Sequence, residues 1–457
     1  MTERLVVIGG DAAGMSAASQ ARRLRGPDDL EILAFERGTT TSYSACGIPY
    51  WVAGLVEERD DLVARSPEEF RQRQDIDVRT GHEVTAIDPD ARCVRVRDLG
   101  TGTEADHGYD EVLIATGAEP LRPPVSGIDA EGVFGVQNLD DGERILDAVA
   151  ARDPQTAVVI GAGYIGIEMA EAMLLRGLQV HVVELAEAPM VRMGPELGGR
   201  IAEEMRELGI HVHLGVPVEA VNRGADGWVS SVVFGGRELA CDLVVLGAGT
   251  RPASGLAREA GIPVGPSGGI VTDRRQRTPV DGVWAAGDCA ETFHRVSRQP
   301  VSIALGTIAN KQGRVAGLNL GGDYGTFPGV LGTAITRICE LEIALTGLDE
   351  DEARHAGFSP VTATVDSTTR AHYFPGAEPI TITMVAERGT GRLLGARILG
   401  REGAGKRIDV LAMAVWNEMT VDELSQVDLS YAPPFSPVWD PVLRAARASA
   451  SAVGAAG

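Results

Sequence analysis

Apolar runs, glycine turns and helical stretches alternate along the first half of the chain. Residues 5–8 form a short apolar run of the kind found in buried parallel strands, and a glycine turn (9–14) and a helical stretch of small residues follow. Residues 157–160 begin the same order again, with a glycine turn at residues 161–166 and a second helical stretch. This repeated order predicts two units that are each built on a parallel sheet.

A second apolar strand in each unit ends at a glutamate. Glu36 lies 22 residues after Gly14, and Glu184 lies 18 residues after Gly166. A carboxylate at this place accepts hydrogen bonds from a ribose hydroxyl of a dinucleotide, while the glycine turn and the helix N-terminus bind the pyrophosphate. Two such fingerprints, 152 residues apart, predict two bound dinucleotides.

The first glycine turn departs from the usual pattern, because Asp11 occupies the place of the middle glycine. Its side chain must point away from the pyrophosphate, or the site must tolerate a carboxylate nearby. The second turn keeps all three glycines, which permit the tight turn, the approach of the pyrophosphate and close packing of helix on strand.

Later strands also end in small residues. Residues 111–117 resemble residues 242–249, and each strand is expected to close one nucleotide-binding half. A further strand ends at Gly287 and Asp288, whose carboxylate suits the hydroxyls of a flavin nucleotide; an ordinary strand-end turn is the alternative. A helical stretch from residue 302 to 319 follows, and its N-terminus could stabilise negative charge on a flavin ring.

Beyond residue 325 the pattern changes to that of a separate α+β domain. Alternating strands are expected at residues 362–365, 380–386 and 393–399, followed by a helix at 406–419. Residues 431–437 are proline-rich and rigid. The Ala/Ser/Gly tail from residue 445 to 457 is expected to fray.

The charge and cysteine content exclude several classes of function. A formal net charge of −22 opposes nucleic-acid phosphates and acidic membranes, and only two of the 42 basic residues are lysines. The five cysteines are scattered without the spacing of a zinc site or a disulfide framework, so no metal is expected. The chain enters a strand directly after its first residues and has no apolar run approaching 18 residues, so we expect a cytoplasmic protein.

One cysteine lies where chemistry is possible. Cys46 follows Glu36 by ten residues, and Pro49 beyond it suits the first turn of a helix. Helix N-termini lower thiol pKa values and so favour the reactive thiolate. The alternative is a buried cysteine that acts as a small hydrophobic residue.

Taken together, these motifs resemble the single-cysteine flavoprotein disulfide reductases, and among them the coenzyme A-disulfide reductases. NADH oxidases and peroxidases are more distant members. The resemblance rests on Ser42-x-x-x-Cys46-Gly, Gly-Ala-Gly-Tyr164-Ile-Gly-x-Glu168, Ala-Ala-Gly287-Asp288 and Tyr431-Ala-Pro-Pro. It implies an α/β protein with two Rossmann-like domains, one for FAD and one for NAD, and a C-terminal α+β dimerisation domain.

The resemblance also implies domain boundaries and a homodimer. The FAD domain would comprise residues 1–117 and 248–324, with the NAD(P)H domain, residues 118–247, inserted between them. Residues 325–457 would form the dimerisation domain and reach into the partner's active site.

Site residues follow from the resemblance position by position. Cys46 is implied to be the redox nucleophile, Glu36 the FAD ribose ligand, and Tyr164 the gate that moves when nicotinamide stacks on the flavin. Tyr373 and Tyr431 match tyrosines that lie near the partner's flavin and cysteine. The implied cofactor contacts are Gly9, Ala12, Ala13, Gly14, Glu36, Arg37, Ser44, Val84, Ala115, Thr116, Gly117, Gly161, Gly163, Tyr164, Ile165, Gly166, Glu168, Glu184, Gly249, Gly287, Asp288 and Ala304. The implied substrate contacts are Ser16, Gln20, Arg23, Ser42 and Asn310; ordinary helix-surface polarity is the alternative for Ser16 and Gln20.

Several positions depart from the family patterns. The histidine of NADH oxidases and peroxidases is Ala12 here, which counts against a peroxidase. The places of a second redox cysteine are Thr41 and Trp51, which excludes an internal disulfide. An asparagine and two phosphate-binding lysines expected for coenzyme A are replaced by Ala45, Gln74 and Trp439, and Arg71 and Arg73 are candidates to compensate.

The predicted reaction is transfer of hydride from NADH to FAD and of two electrons to a mixed disulfide between Cys46 and a small thiol, such as coenzyme A. Tyr373 or Tyr431 of the partner could protonate the leaving thiolate. Glu184 favours NADH over NADPH, although Arg192 keeps NADPH possible. The alternatives are an NADH oxidase that cycles through a Cys46 sulfenic acid, a persulfide or polysulfide reductase, and a redox-silent nucleotide sensor.

Overall fold

The computed structural model describes residues 2–456. Its first part contains β1 (Glu3–Ile8), α1 (Ala12–Leu24), β2 (Leu30–Phe35), α2 (Ile48–Ala53), α3 (Pro67–Gln74), β3 (Ile76–Arg79), β4 (His82–Asp88), β5 (Cys93–Asp98), β6 (Glu104–Gly108) and β7 (Glu111–Ile114). Strands β7, β1, β2 and β3 pair side by side in parallel, and the last four residues of β1 are buried, as its continuous apolar run predicts. Strands β4, β5 and β6 form a separate antiparallel sheet.

The second part repeats this plan. It contains β8 (Ala118–Pro120), β9 (Val133–Phe134), α4 (Leu139–Arg152), β10 (Thr156–Ile160), α5 (Tyr164–Leu175), β11 (Gln179–Val183), α6 (Gly194–Glu207), β12 (His211–His213), β13 (Val218–Arg223), β14 (Val229–Phe234), β15 (Arg237–Ala240), β16 (Leu243–Leu246), β17 (Thr250–Pro252) and α7 (Gly255–Glu259). The parallel sheet has the order β12-β11-β10-β16-β9, and β13, β14 and β15 form an antiparallel sheet beside it. Strands β8 and β17 pair with each other where the chain enters and leaves this unit.

The chain then returns to the first sheet. The elements are β18 (Val283–Ala285), β19 (Thr292–Phe293), β20 (Pro300–Val301) and α8 (Gly306–Leu320). Strand β18 pairs with β7, which gives the order β18-β7-β1-β2-β3, and α8 packs along α1. The helix expected from residue 302 begins only at Gly306, because residues just before it are extended and pair as β20 with β19.

The last part is the predicted α+β domain. It contains β21 (Ala334–Ile338), β22 (Leu341–Gly347), α9 (Glu350–His355), β23 (Pro360–Thr368), β24 (Pro379–Glu387), β25 (Leu393–Gly400), α10 (Ile408–Trp416), α11 (Val421–Ser425) and α12 (Pro441–Ala456). Its antiparallel sheet has the order β21-β22-β25-β24-β23. The predicted fold class, two dinucleotide-binding units and an α+β domain, is therefore confirmed.

Two expectations about this last part are wrong. The helix expected at residues 406–419 is shorter, since α10 begins at Ile408 after a 3-10 turn and ends at Trp416. The tail that was expected to fray forms α12, which packs on β23 and β24 and buries Val442, Ala445 and Ala446. Burial of this apolar face stabilises a helix of small residues that local propensity alone leaves marginal. Gly457 lies outside the described residues.

No helix within residues 2–456 combines the length and the apolar character that a membrane span requires.

Candidate active site

The first glycine turn leaves no room for side chains at its outer positions. A Cβ atom at Gly9 would lie 2.2 Å from the Ala115 carbonyl oxygen, and one at Gly14 would lie 1.9 Å from the Gly9 carbonyl oxygen. Gly9 also has a φ of +109°, which favours glycine. The turn therefore brings β1, α1 and β7 to their closest approach.

The carboxylate of Asp11 turns toward the cysteine-bearing loop. Its Oδ1 accepts a hydrogen bond of 3.1 Å from the Tyr43 N–H. Burial raises the pKa of Asp11 to about 6, and the nearby carboxylates of Glu36 and Asp288 add to this rise. Of the two possibilities that the sequence left open at this position, the structure shows the side chain directed to the loop.

The two glutamates at the strand ends are held in the same way. Glu36 accepts hydrogen bonds from the N–H groups of Gly10 at 2.7 Å and Gly38 at 2.6 Å. Glu184 accepts them from Ala162 at 2.6 Å and Ala186 at 2.8 Å. Each carboxylate is thereby fixed beside its glycine turn, where a ribose hydroxyl of a dinucleotide is expected.

Asp288 is the clearest indication that the first unit holds a ligand. Its Oδ1 is buried and has no hydrogen-bond partner among the described residues, and burial raises its pKa to about 6. A buried carboxylate oxygen without a donor is costly, so a ligand with hydroxyl groups would satisfy it. Nearby, Gly117 has a φ of +70° and nothing within 4 Å of the position of a Cβ atom. These residues fit the hydroxyl-rich chain of FAD.

The second glycine turn divides its glycines between packing and ligand access. A Cβ atom at Gly161 would lie 2.5 Å from the Gly247 carbonyl oxygen, and one at Gly166 would lie 2.1 Å from the Gly161 carbonyl oxygen. At Gly163 the nearest atom would be 3.9 Å away, so the protein leaves this position open. An open backbone at the start of α5 fits the pyrophosphate of NADH.

Tyr164 and Glu168 lie on the first turns of α5 and contact the C-terminal domain. The Tyr164 hydroxyl is buried without a partner among the described residues; burial raises its pKa, and the guanidinium groups of Arg192 and Arg397 oppose this rise. Glu168 accepts a hydrogen bond of 2.7 Å from the Thr336 hydroxyl. Sequence reasoning missed Thr336 and Arg397, because no motif links these positions to α5 across more than 160 residues.

Arg192, which was expected to keep NADPH binding possible, is engaged elsewhere. Its Nε donates to Glu352 at 3.0 Å, and its Nη2 donates to the Gly347 carbonyl oxygen at 3.0 Å. A contact between Arg192 and a 2′-phosphate would therefore require this ion pair to break.

Cys46 lies in a 3-10 turn (Ala45–Gly47) directly before α2 and is exposed. The expectation that a helix N-terminus lowers its pKa is wrong for this chain. The protein packed around the sulfur raises the thiol pKa, and the carboxylates of Glu168, Asp288 and Asp11 raise it further. The physical reason is that α2 has only six residues, whereas three carboxylates act on the same sulfur.

The two candidate catalytic tyrosines lie together, away from Cys46 of the same chain. Both are exposed, Tyr373 to 65% and Tyr431 to 48%. A hydrogen bond to the Tyr373 side chain raises the pKa of the Tyr431 phenol. Among residues 2–456, no hydrogen bond joins either tyrosine to Cys46.

Four of the five predicted substrate residues lie along α1 and α8. The Ser16 hydroxyl donates to Asn310 Oδ1 at 2.7 Å, and Arg23 donates to Gln20 Oε1 at 3.4 Å. Ser42 lies in the loop beside the first glycine turn, where its N–H donates to the Gly10 carbonyl oxygen and its φ is +52°.

The arginines proposed to replace the missing lysines are already paired. Arg71 contacts Glu68 at 3.1 Å and Asp77 at 3.6 Å, and its Nη2 donates to the Val78 carbonyl oxygen. Arg73 contacts Glu69 at 3.3 Å. Arg71 is therefore a poor substitute for a lysine that binds phosphate.

The remaining predicted cofactor residues surround the two turns. Thr116 donates its hydroxyl to the Ala253 carbonyl oxygen at 2.7 Å, and Arg37 lies 3.8 Å from Glu83. The others occupy the start of α1, the loop before Cys46, strand β4, the end of β7, the start of α5, the segment after β16 and the segment before α8: Ala12, Ala13, Ser44, Val84, Ala115, Ile165, Gly249, Gly287 and Ala304.

Comparison with known proteins places this geometry among redox enzymes. A family model described as pyridine nucleotide-disulphide oxidoreductase matches residues 3–313, and the dimerisation domain of the same family matches residues 333–441. The NAD(P)H coenzyme A polysulfide/persulfide reductase of Pyrococcus horikoshii is 38% identical over 447 residues, covering 98% of each chain. The coenzyme A disulfide reductase of Staphylococcus aureus is 30% identical over 435 residues, covering 95% of this chain and 96% of that protein. A crystal structure of reduced Bacillus anthracis CoADR-RHD has a TM-score of 0.95 at 31% identity and covers 100% of this chain and 81% of that chain.

Proposed function

Since this chain belongs to the pyridine nucleotide-disulphide oxidoreductase family, we propose that it uses NADH to reduce the disulfide of a coenzyme A-type thiol through Cys46. The family resemblance that the motifs indicated is confirmed, and the chain is an FAD-dependent NAD(P)H oxidoreductase. The identity of the disulfide and the roles of individual residues form the proposal.

One observation carries the proposal. Cys46 lies in a loop that is tied to the first glycine turn by the hydrogen bond between Tyr43 and Asp11, and Asp288 is close enough to raise its pKa. All five cysteines are free. A cysteine beside a flavin-type site without a second cysteine has to form its disulfide with the substrate itself.

Residues of both units hold the cofactors in this proposal. Glu36, Asp288 and the first glycine turn bind FAD, while Glu184 and the second glycine turn bind NADH. Tyr164 covers the nicotinamide site and moves aside when NADH enters. Bound FAD supplies two-electron transfer between NADH and sulfur.

Cys46 performs the exchange at sulfur. Its thiolate attacks one sulfur of the substrate, so that a bond to Cys46 forms, the disulfide bond of the substrate breaks and one thiol leaves as a thiolate that takes up a proton. The two electrons of NADH then break the mixed disulfide, which releases the second thiol and restores the Cys46 thiolate. The net reaction consumes one NADH and one proton for each disulfide.

The tyrosine pair provides the proton in a homodimer with shared active sites. The match to a dimerisation domain supports the dimer, and the exposure of Tyr373 and Tyr431 leaves both hydroxyls available to the partner. Mixing Cys46→Ser chains with Tyr431→Phe chains should restore one working site in each heterodimer. Verified subunit exchange without recovered activity would count against the shared site.

The domain boundaries and the location belong to the same proposal. Residues 1–117 and 248–324 would bind FAD, residues 118–247 would bind NAD(P)H, and residues 325–457 would form the dimer. A cytoplasmic location is supported by the five free cysteines, which suit a reducing compartment.

The deciding experiment identifies what Cys46 carries. The protein is purified without reductant, and the species that dithiothreitol releases is measured by mass spectrometry. We expect coenzyme A, and we expect Cys46→Ser protein to accept hydride from NADH but to lose disulfide reduction. A sulfenic acid without any thiol adduct would favour the NADH oxidase, and disulfide reduction by Cys46→Ser at the wild-type rate would refute the role of this cysteine.

A persulfide is the second candidate substrate, because the relative with 38% identity is named as a polysulfide/persulfide reductase. Cys46 would then take the outer or inner sulfur of a coenzyme A persulfide, and one NADH and one proton would yield coenzyme A and hydrogen sulfide. Hydrogen sulfide release faster than reduction of coenzyme A disulfide, at equal substrate concentration, would favour this candidate.

A further inference from the structure

A polar groove runs between α1 and α8 and starts at the reactive cysteine. Helix α1 begins directly after Asp11, and α8 begins directly after Leu305, whose backbone forms a hydrogen bond with Asp288. Asp11 and Asp288 both raise the pKa of Cys46, so both helix starts lie close to its sulfur. The two helices are parallel and lead away from that point.

Glycines let the two helices approach closely and so fix the register of the groove. A Cβ atom at Gly313 would lie 2.2 Å from the Ala13 carbonyl oxygen, and one at Gly317 would lie 2.3 Å from the Ala17 carbonyl oxygen. On one side of this seam, Ser16 is hydrogen-bonded to Asn310. One turn further along both helices, the same register places Gln20 of α1 beside residue 314 of α8.

Residue 314 is an arginine, and it lies on the groove side of α8. Arg314 follows Asn310 by four residues, so both occupy the same helix face, and both are exposed. Arg23, which contacts Gln20 at 3.4 Å, projects from the opposite wall. Within the described part of the chain, neither Arg314 nor Arg23 takes part in an ion pair, whereas Arg71 and Arg73 do.

We infer that the groove between α1 and α8 binds the anionic end of the substrate, and that Arg314 acts there with Arg23 as a phosphate-binding residue. The inference deepens the proposed function, since it rests on Cys46 as the reacting sulfur. It assigns to α8 the positive charge that Gln74 and Trp439 do not supply.

The helix rise turns this groove into a measure of the substrate. Arg314 lies eight residues after the start of α8, and Arg23 lies eleven residues after the start of α1. At 1.5 Å per residue these positions are about 12 Å and about 17 Å along the helices. A thiol that is joined to phosphate groups by a long unbranched arm spans this distance, whereas a small thiol such as cysteine does not.

Two variants and two disulfides test the inference. Arg314→Gln removes the groove cation, and Lys311→Gln is the matched control, because Lys311 is an exposed cation on α8 that points about 100° away from Asn310. Coenzyme A disulfide carries phosphate groups, whereas pantethine has the same thiol arm without them. We expect Arg314→Gln to raise the KM for coenzyme A disulfide about tenfold and to leave the KM for pantethine and both kcat values unchanged, as for the loss of one charge-assisted contact.

Direct binding separates this inference from the reaction itself. Titration calorimetry of coenzyme A into the FAD-loaded protein should show an affinity about tenfold lower for Arg314→Gln and an unchanged affinity for Lys311→Gln. Equal effects of Arg314→Gln on both disulfides, or equal effects of the two variants, would overturn the inference while the proposed reaction stands. If the wild-type protein reduces neither disulfide but the binding difference persists, the groove is supported and the proposed reaction is wrong.

Discussion

Two glycines of the second turn, only three residues apart, should respond in opposite ways to the same added methyl group. In Gly166→Ala the methyl carbon would lie 2.1 Å from the Gly161 carbonyl oxygen, about 0.9 Å inside the 3.0 Å that such contacts respect. Helix α5 must therefore move away from β10. Overpacking of this kind costs about 1–3 kcal/mol in the free energy of unfolding.

Gly163→Ala provides the matched case. The nearest atom, the Gly247 carbonyl oxygen, would be 3.9 Å from the new methyl carbon, and the φ of −80° at Gly163 suits alanine. The stability of the protein should not change. The methyl group would instead stand where the pyrophosphate of NADH approaches the backbone, and the loss of one or two hydrogen bonds to a charged group, at about 1.5 kcal/mol each, lowers NADH affinity at least tenfold.

Thermal denaturation and NADH titration distinguish the two effects, and the ratio of flavin to protein absorbance checks that the first unit stays intact. We expect Gly166→Ala to melt several degrees lower than the wild type with FAD still bound. A Gly163→Ala protein that melts as low as Gly166→Ala, or that binds NADH with wild-type affinity, would refute the division of these glycines into packing and ligand positions.

Four further outcomes are expected. Glu184→Ser should raise the KM for NADH about tenfold and bring NADPH closer to NADH, because the ribose loses a charged acceptor; an unchanged NADH/NADPH ratio in steady-state assays would contradict this. Burial lowers the pKa of His181 from 6.5 to about 4, so the unfolded chain binds a proton in this window that the folded chain does not, and stability falls as the pH drops. Urea unfolding of His181→Gln should therefore lose less stability than the wild type between pH 6.5 and pH 4, and parallel curves would disprove it. Glu168→Gln removes a negative charge that raises the pKa of Cys46, so iodoacetamide should alkylate Cys46 faster at pH 7; equal rates would show that this charge does not act on the sulfur. A chain that ends at residue 440 lacks α12 and uncovers the sheet that Val442 packs on, so it should melt at a lower temperature than the full chain, and an equal melting temperature would restore the prediction of a frayed tail.

The sequence by itself determined the parts of this protein that depend on local order. The alternation of apolar strand, glycine turn and helix identified both dinucleotide-binding units, because these periods arise within a few residues of each other. The same holds for Glu36 and Glu184, which end the second strand of each unit at the expected spacing, and for Cys46 in its turn before a proline-started helix. Roles assigned to single residues, and the exact domain boundaries, stay predictions.

Only the tertiary structure decided what these residues face. It turned Asp11 toward Tyr43, placed Glu168 against Thr336 and set carboxylates from three distant segments around the sulfur of Cys46. It also made the tail a helix, because a sheet formed by residues 360–387 gave its small apolar side chains a surface to cover. The direction of a side chain, its partners and its pKa depend on segments that are brought together by packing, and the spacing of residues along one segment carries no record of which segment will lie opposite it.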